Sequence, residues 1–190
     1  VGLPSQLTQD NQDFSVSAWV TLDTLTNNVG IVGQMDNDLE QEDFSMWYYL
    51  SGKFYCDKRT DSTSEDQDIV RTNTALSVDT LYHVVCVYDD SVANDQASLP
   101  QGAWTLYVNG VMEDDTPIDS NDGGGNPGDG SEAWIGVIYG PARHLGGTID
   151  EVVVFDKALS SSEVTSLYNG AQPSTISTLL AHYDFEQTSG

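Results

Sequence analysis

The alternation in "FSVSAWVTL", Phe14 to Leu22, limits the fold more than any other feature of the chain. Phe14, Val16, Ala18, Val20 and Leu22 fall on one side of an extended strand, and Ser15, Ser17, Trp19 and Thr21 on the other. A strand with one apolar face needs neighbours in a sheet and a second layer over that face. The same period recurs in "GIVGQM", "FSMWYYL", "KFYCDK", "LYHVVCVYD", "WTLYVNG", "AWIGVIYG", "IDEVVVF" and "LLAHYDF". Clusters of Gly, Asn and Asp separate these runs. "YLSGKFY" reads as a hairpin around Ser51-Gly52, and Asn109-Gly110 is the strongest short hairpin signal. One segment breaks the period. In "ALSSSEVTSLYNG", Ser160 and Glu163 make a capping box, Val164, Leu167 and Tyr168 recur at helical spacing, and Gly170 can close the helix. The pattern therefore predicts an all-β, two-sheet antiparallel sandwich with one short helix near the C-terminus. Residues 36–43, 57–68 and 119–132 read as long loops. No composition break marks a linker, so 1–190 reads as one domain, and its start in mid-pattern reads as a piece of a larger protein.

Charge removes several classes of partner. The chain has 30 acidic and 6 basic residues, for a net charge of -24. Such a polyanion repels nucleic acid and anionic membrane. No stretch is apolar enough to insert into a bilayer. An acidic surface adapted to salt is the plain reading, and a set of cation sites is the other. Cys56 and Cys86 lie in apolar segments and read as two buried thiols, with one inter-strand disulfide as the alternative. No CxxC or Cys/His cluster suggests zinc.

The order of the blocks carries a resemblance. "DFSVSAWV", "LYHVVCVYDD", "WTLYVNGV", "WIG" and "GGTIDEVVVFDKALSSSEVTSLYNG" resemble, in that order, the laminin-G-like or concanavalin A-like jelly-roll domains of the type akin to pentraxins. The likeness runs from about Asp13 to Gly170. Its most specific part is Gly-x-Ile-Asp-Glu-Val, an aromatic, Ala-Leu-Ser, then Glu-Val before Leu-Tyr-Asn. The final "LLAHYDFEQTSG" resembles the segment that usually opens such domains. It reads either as the start of a second copy or, preferred here, as a closing strand of this one.

The resemblance implies a structural calcium ion. Its ligands would include Asp150 and the acidic residue of the Phe-Asp motif, matched here by Glu186 where Asp is usual. Strand parity puts Asp150 beside Val152 and Val154, facing the core, where a lone carboxylate needs a partner. Capping loop amides is the alternative role. Glu151 alternates outward to solvent. The resemblance implies that the acidic loop holding Asp36 and Asp38 could bind a second calcium, as pentraxin-like lectins do beside their ligand site; its plainer and preferred reading is a solvated loop.

Carbohydrate binders stack sugar rings on aromatic side chains. Trp47, Tyr107 and Tyr139 fall opposite the expected core or in loops, as do Trp19 and Tyr49. Any one of them can equally pack under a loop. Arg143 and His144, rare cations here, share the loop "IYGPARHLGG" with Tyr139 and could grip a hydroxyl, carboxylate or sulfate. Their plainer role is a salt bridge to the acidic surface. Catalysis finds little support. The Glu-apolar-Asp-apolar-apolar-Glu string of retaining glycosidases on this scaffold is absent, Asp150 and Glu151 point to opposite faces, and no G-x-S-x-G elbow is present. His83, in mid-strand, reads as structural. The sequence is thus read as a non-catalytic recognition module, extracellular or on a cell or virion surface. It would bind a glycan or surface protein in adhesion, with calcium fixing its loops and other domains as neighbours. The alternatives are a purely structural decoration or fibre domain and, more weakly, a glycoside hydrolase.

Overall fold

In the computed structural model the described residues are 4, 12–26, 28–35, 42–59, 67–92, 103–114, 118–119, 132–137 and 144–186. In chain order they form β1 (Phe14–Leu22), β2 (Val29–Met35), β3 (Glu42–Tyr49), β4 (Lys53–Arg59), β5 (Gln67–Arg71) and β6 (Tyr82–Asp89). Then come β7 (Ala103–Val108), β8 (Val111–Asp114), β9 (Ile118–Asp119), β10 (Glu132–Ile135), β11 (Gly147–Phe155), helix α1 (Ser161–Tyr168) and β12 (Leu179–Tyr183). A single 3-10 turn, Pro173–Thr175, lies between α1 and β12. The strands build two antiparallel sheets. The first has the order β12-β11-β1-β6-β7-β8, and the second β10-β2-β3-β4-β5-β9. The closing strand β12 pairs with β11, as preferred from sequence.

The core lies between the sheets and follows the period-two pattern. Phe14, Val16, Ala18, Val20 and Leu22 are fully buried against Phe44, Met46, Tyr48 and Phe54. Trp104 sits among Phe14, Tyr88 and Phe44, with ring centroids 5.1 to 6.0 Å apart. Such aromatic packing adds to the burial of area alone. Two expectations are corrected here. Cys56 of β4 and Cys86 of β6 are not free thiols but a buried disulfide joining the two sheets. Both point inward from facing strands with Cα atoms 6.0 Å apart, within bridging range. The loop expected from residue 57 starts later, because β4 runs on to Arg59. The charges there find partners on other strands. Asp57 accepts hydrogen bonds from Ser45 and Trp47, and Lys58 lies 4.6 Å from the Tyr88 ring centroid and 5.4 Å from that of Phe14.

Both sequence-predicted hairpins form. Gly52 has φ 81°, and Asn109 and Gly110 have φ 52° and 76°, the left-handed pair that a two-residue turn requires. A second, smaller core covers the outer face of the first sheet. Val85, Val87, Tyr107, Val153 and Phe155 pack beneath Leu159, Val164, Leu167 and Ile176. The helix starts as its capping box predicts. Glu163 N–H donates to the Ser160 side chain and Ser160 N–H donates to Glu163 Oε2. Lys157 Nζ bonds Glu163 Oε1 at 2.8 Å, and that bond, with the cap, holds the Glu163 carboxyl below the usual range.

Strand β11 carries two backbone irregularities. At Gly147, φ is 150°, and an added Cβ would lie 1.9 Å from the Thr21 carbonyl oxygen. Gly147→Ala must push backbone against backbone, so we expect a loss of about 2–3 kcal/mol in a denaturant melt. An unchanged midpoint would show that the strand shifts freely. The second irregularity is a bulge. Between Ser17↔Val153 and Trp19↔Asp150, β11 advances one residue more than β1, and Glu151 takes φ 49°. The extra residue reverses the parity of everything before it.

Candidate functional site

The bulge corrects the expected role of Asp150. Its side chain is exposed rather than core-facing, and its Oδ1 accepts a hydrogen bond from Glu151 N–H at 2.9 Å. No buried charge therefore demands compensation there. Glu151 faces outward as expected but is not merely solvated: its Oε2 lies 2.5 Å from His182 Nε2 on β12. Asp150 and Glu186 do share one open groove of about 640 Å³, together with Asp184, Glu151 and the half-exposed Phe185. Asp184 accepts from Glu186 N–H at 3.3 Å. Among the described residues, no three His, Cys, Asp or Glu side chains are grouped as a metal would require. The side chains described do not by themselves make a calcium site.

The other expected residues separate. Tyr139, Arg143, Asp36 and Asp38 lie outside the described residues. His144 is exposed and bridges to Val137. Tyr107 is 7% exposed and packs under α1, so it offers no platform for a ligand. Its parity was read correctly, but the helix covers that face of the sheet.

Trp47 lies on the outer face of the second sheet, within an organised aromatic cluster. The Ser51-Gly52 turn sets the register of β3 on β4, pairing Tyr49 with Lys53, Trp47 with Tyr55 and Ser45 with Asp57. These residues all share the face away from the core. The Trp47 and Tyr55 rings are 5.0 Å apart, Tyr49 meets Trp47 edge-on at 5.4 Å, and Tyr49 to Tyr55 is 5.7 Å. Asp57, 1% exposed, accepts from Trp47 Nε1 at 2.9 Å and from Ser45 Oγ, which fixes the indole plane. On the neighbouring strand, the buried Gly30 pairs with Trp47. Trp134 pairs with Gly33 on the same face, and its buried Nε1 has no hydrogen-bond partner. The exposed Arg71 pairs with Tyr55, and the half-buried Lys53 with Tyr49. Two of the chain's six basic residues thus flank the rings. Tyr55, 8% exposed, backs the cluster, and the open rings are the part-buried Trp47 and the exposed Tyr49; this oriented pair with cations at its edge suits a ring-shaped, hydroxyl-rich ligand.

The sequence model of the Laminin G type 3 family, described as the concanavalin A-like lectin/glucanases superfamily, matches residues 1–165. The chain belongs to that family. A search of curated proteins found no match. Solved structures share the laminin-G-like fold at low identity. A Bacteroides ovatus protein to which carbohydrate binding is ascribed has TM-score 0.61 and 20% identity, over 93% of this chain and 46% of that one. This chain therefore spans about half of that protein. The CBM40 of a Ruminococcus gnavus IT-sialidase, solved with α2,3-sialyllactose, has TM-score 0.59 and 12% identity over 83% of both chains. A SAP-like pentraxin of Limulus polyphemus has TM-score 0.54 and 16% identity, over 83% of this chain and 70% of that one. No helix among the described residues of this laminin-G-like chain is long and apolar enough to cross a membrane.

Several site residues escaped the sequence reading. The sequence pattern puts Asp57 at a loop boundary and gives no reason to single out Tyr55, Trp134, Lys53 or Arg71. Counting outward from the Ser51-Gly52 turn would have found Trp47 opposite Tyr55 and Ser45 opposite Asp57. The Ser17–His83 bond of 2.8 Å and the Glu151–His182 pair carry no local sequence signal, because each joins residues far apart in the chain.

Proposed function

We propose that this domain is a non-catalytic carbohydrate-binding module whose platform is the outer face of the second sheet. The observation that carries the reading is the Trp47 ring, locked by Asp57 within the Tyr49–Tyr55 cluster beside Gly30. Lys53 and Arg71 at its margin favour glycans bearing a carboxylate in a chain that otherwise repels anions. The kinship with binding modules, one of them solved with a sialylated sugar, supports the same class. The buried Cys56–Cys86 bridge supports a place outside the reducing cytosol, at a cell or virion surface. Adhesion through surface glycans, within a larger protein, fits these features.

A glycan array on the whole chain, run with calcium and with chelator, tests the proposal. Binding is expected to favour sialylated or uronic-acid glycans. Trp47→Ala is expected to weaken it about tenfold, the loss of one stacked ring. A blank array in both conditions would sink the lectin reading and favour a structural decoration or fibre domain. The chelator arm reads calcium separately.

A further inference from the structure

On the opposite side of the sandwich, a cleft of about 200 Å³ opens between the outer face of the first sheet and the turn after α1. Ser17, His83 and Glu151 supply its polar wall, and Val153, Leu167 and Pro173 its apolar one. The polar wall is built from deep inside the fold. Ser17 is 2% exposed and His83 1%. Ser17 Oγ and His83 Nε2 bond at 2.8 Å, whereas His83 Nδ1 is buried and has no partner. A buried ring nitrogen without a partner is disfavoured, so His83 is not placed there for stability alone. The imidazole is also held in place. Its backbone is clamped by Asn109, which accepts from His83 N–H at 2.9 Å and donates its own N–H to the His83 carbonyl. Its ring packs 4.9 Å from Trp19 and 6.1 Å from Tyr168.

We propose that this cleft is a second ligand site, which takes a single neutral sugar unit or cyclic polyol. Volume, polarity and charge each narrow the ligand. The space equals that of roughly six or seven waters, enough for one small ring and too little for an oligosaccharide. One wall carries the polar Ser17, His83 and Glu151, and the other offers aliphatic carbon, which matches the hydroxyl edge and C–H face of a pyranose. Glu151 at the cleft and the net charge of -24 disfavour anions. Glu151 is already bonded to His182, so the site is not an open cation trap either. The inference goes beyond the sheet-face reading and stands apart from it: the two surfaces lie on different sheets and can be silenced one at a time.

The test is a titration of the whole chain with free glucose, galactose, mannose, N-acetylglucosamine and myo-inositol. It follows the side-chain nitrogens by NMR. Three histidines, His83, His144 and His182, make assignment direct. A saturable shift of the His83 ring nitrogens is expected with at least one of these probes. Ala171→Trp, which fills the cleft from its rim without touching His83, is expected to weaken that response about tenfold or more. Gln172→Trp, on the same turn, gives a second block should the first variant misfold. Trp47→Ala is expected to leave the His83 response intact while reducing array binding. The proposal is overturned if no probe moves His83 at saturation, if the shift survives both blocking variants, or if Trp47→Ala removes it.

Discussion

Replacing Cys56 and Cys86 together with alanine is expected to remove about 3.5 kcal/mol of stability. The bridge closes a loop of 30 residues, and loop-closure entropy for that length gives the figure at room temperature. A domain of this size should then melt about 10 °C lower. The location of the bridge adds a kinetic consequence. Both cysteines are fully buried, and they tie β4 of one sheet to β6 of the other through the middle of the core. A reductant can reach the bond only when the sheets part. Dithiothreitol should therefore leave the melting curve of the native protein unchanged over times short of unfolding, and should shift it fully once denaturant has opened the chain. A drop of less than 2 °C in the double variant, with an unchanged denaturant slope, would show that the core alone holds the sheets together and that the bridge is dispensable.

The bridge marks the boundary of what the sequence could show. Alternation is local, so the inward faces of β1, β3 and β6 were legible, as were the two hairpins and the capped helix. Whether two inward cysteines meet depends on how one sheet slides over the other, and no local pattern encodes that. The bulge at Glu151 shows a different limit. Parity counts from a regular strand, and one extra residue turns Asp150 from the core to the solvent. Nothing in "TIDEVV" announces it, because Glu151 is not a residue that favours positive φ. Tyr107 shows a third limit. Its strand and side were read correctly, yet α1 lies over that face, and the packing of a helix on a sheet is a long-range fact. The candidate platform was half legible. Parity alone puts Trp47 off the core, while the charge of its partner Asp57 reads as the start of a loop. In this protein Asp57 is held inside the sheet by the indole and hydroxyl that it orients.

The same long-range packing makes His83 an acid-sensitive point, and the expected size rivals that of the disulfide. Burial pushes its imidazole down to about 4 from an ordinary 6.5. Between those values the unfolded chain binds a proton that the folded chain refuses. Stability from this group is therefore complete above pH 6.5, falls as pH drops toward 4, and changes no further below that. The shift corresponds to roughly 3 kcal/mol over the window. The groups around the ring do little to rescue the cation. Ser17 and Tyr168 are neutral, Trp19 covers one side, and Glu151, which lines the same cleft, is bonded to His182. Two other acid effects must be kept apart from it. Protonating surface carboxylates relieves self-repulsion in a chain of net charge -24, which opposes the histidine effect. Loss of the Glu163 contacts to Lys157 and Ser160 acts in the same direction as His83, but at lower pH, since that carboxyl titrates below its usual range. The difference between the native chain and His83→Asn isolates the imidazole. The native chain should lose stability relative to the variant between pH 6.5 and 4, and the two curves should run parallel outside that window. Parallel curves throughout would mean that His83 takes up a proton in the fold as readily as in the unfolded chain, and that the cleft beside it is wetter than its burial implies.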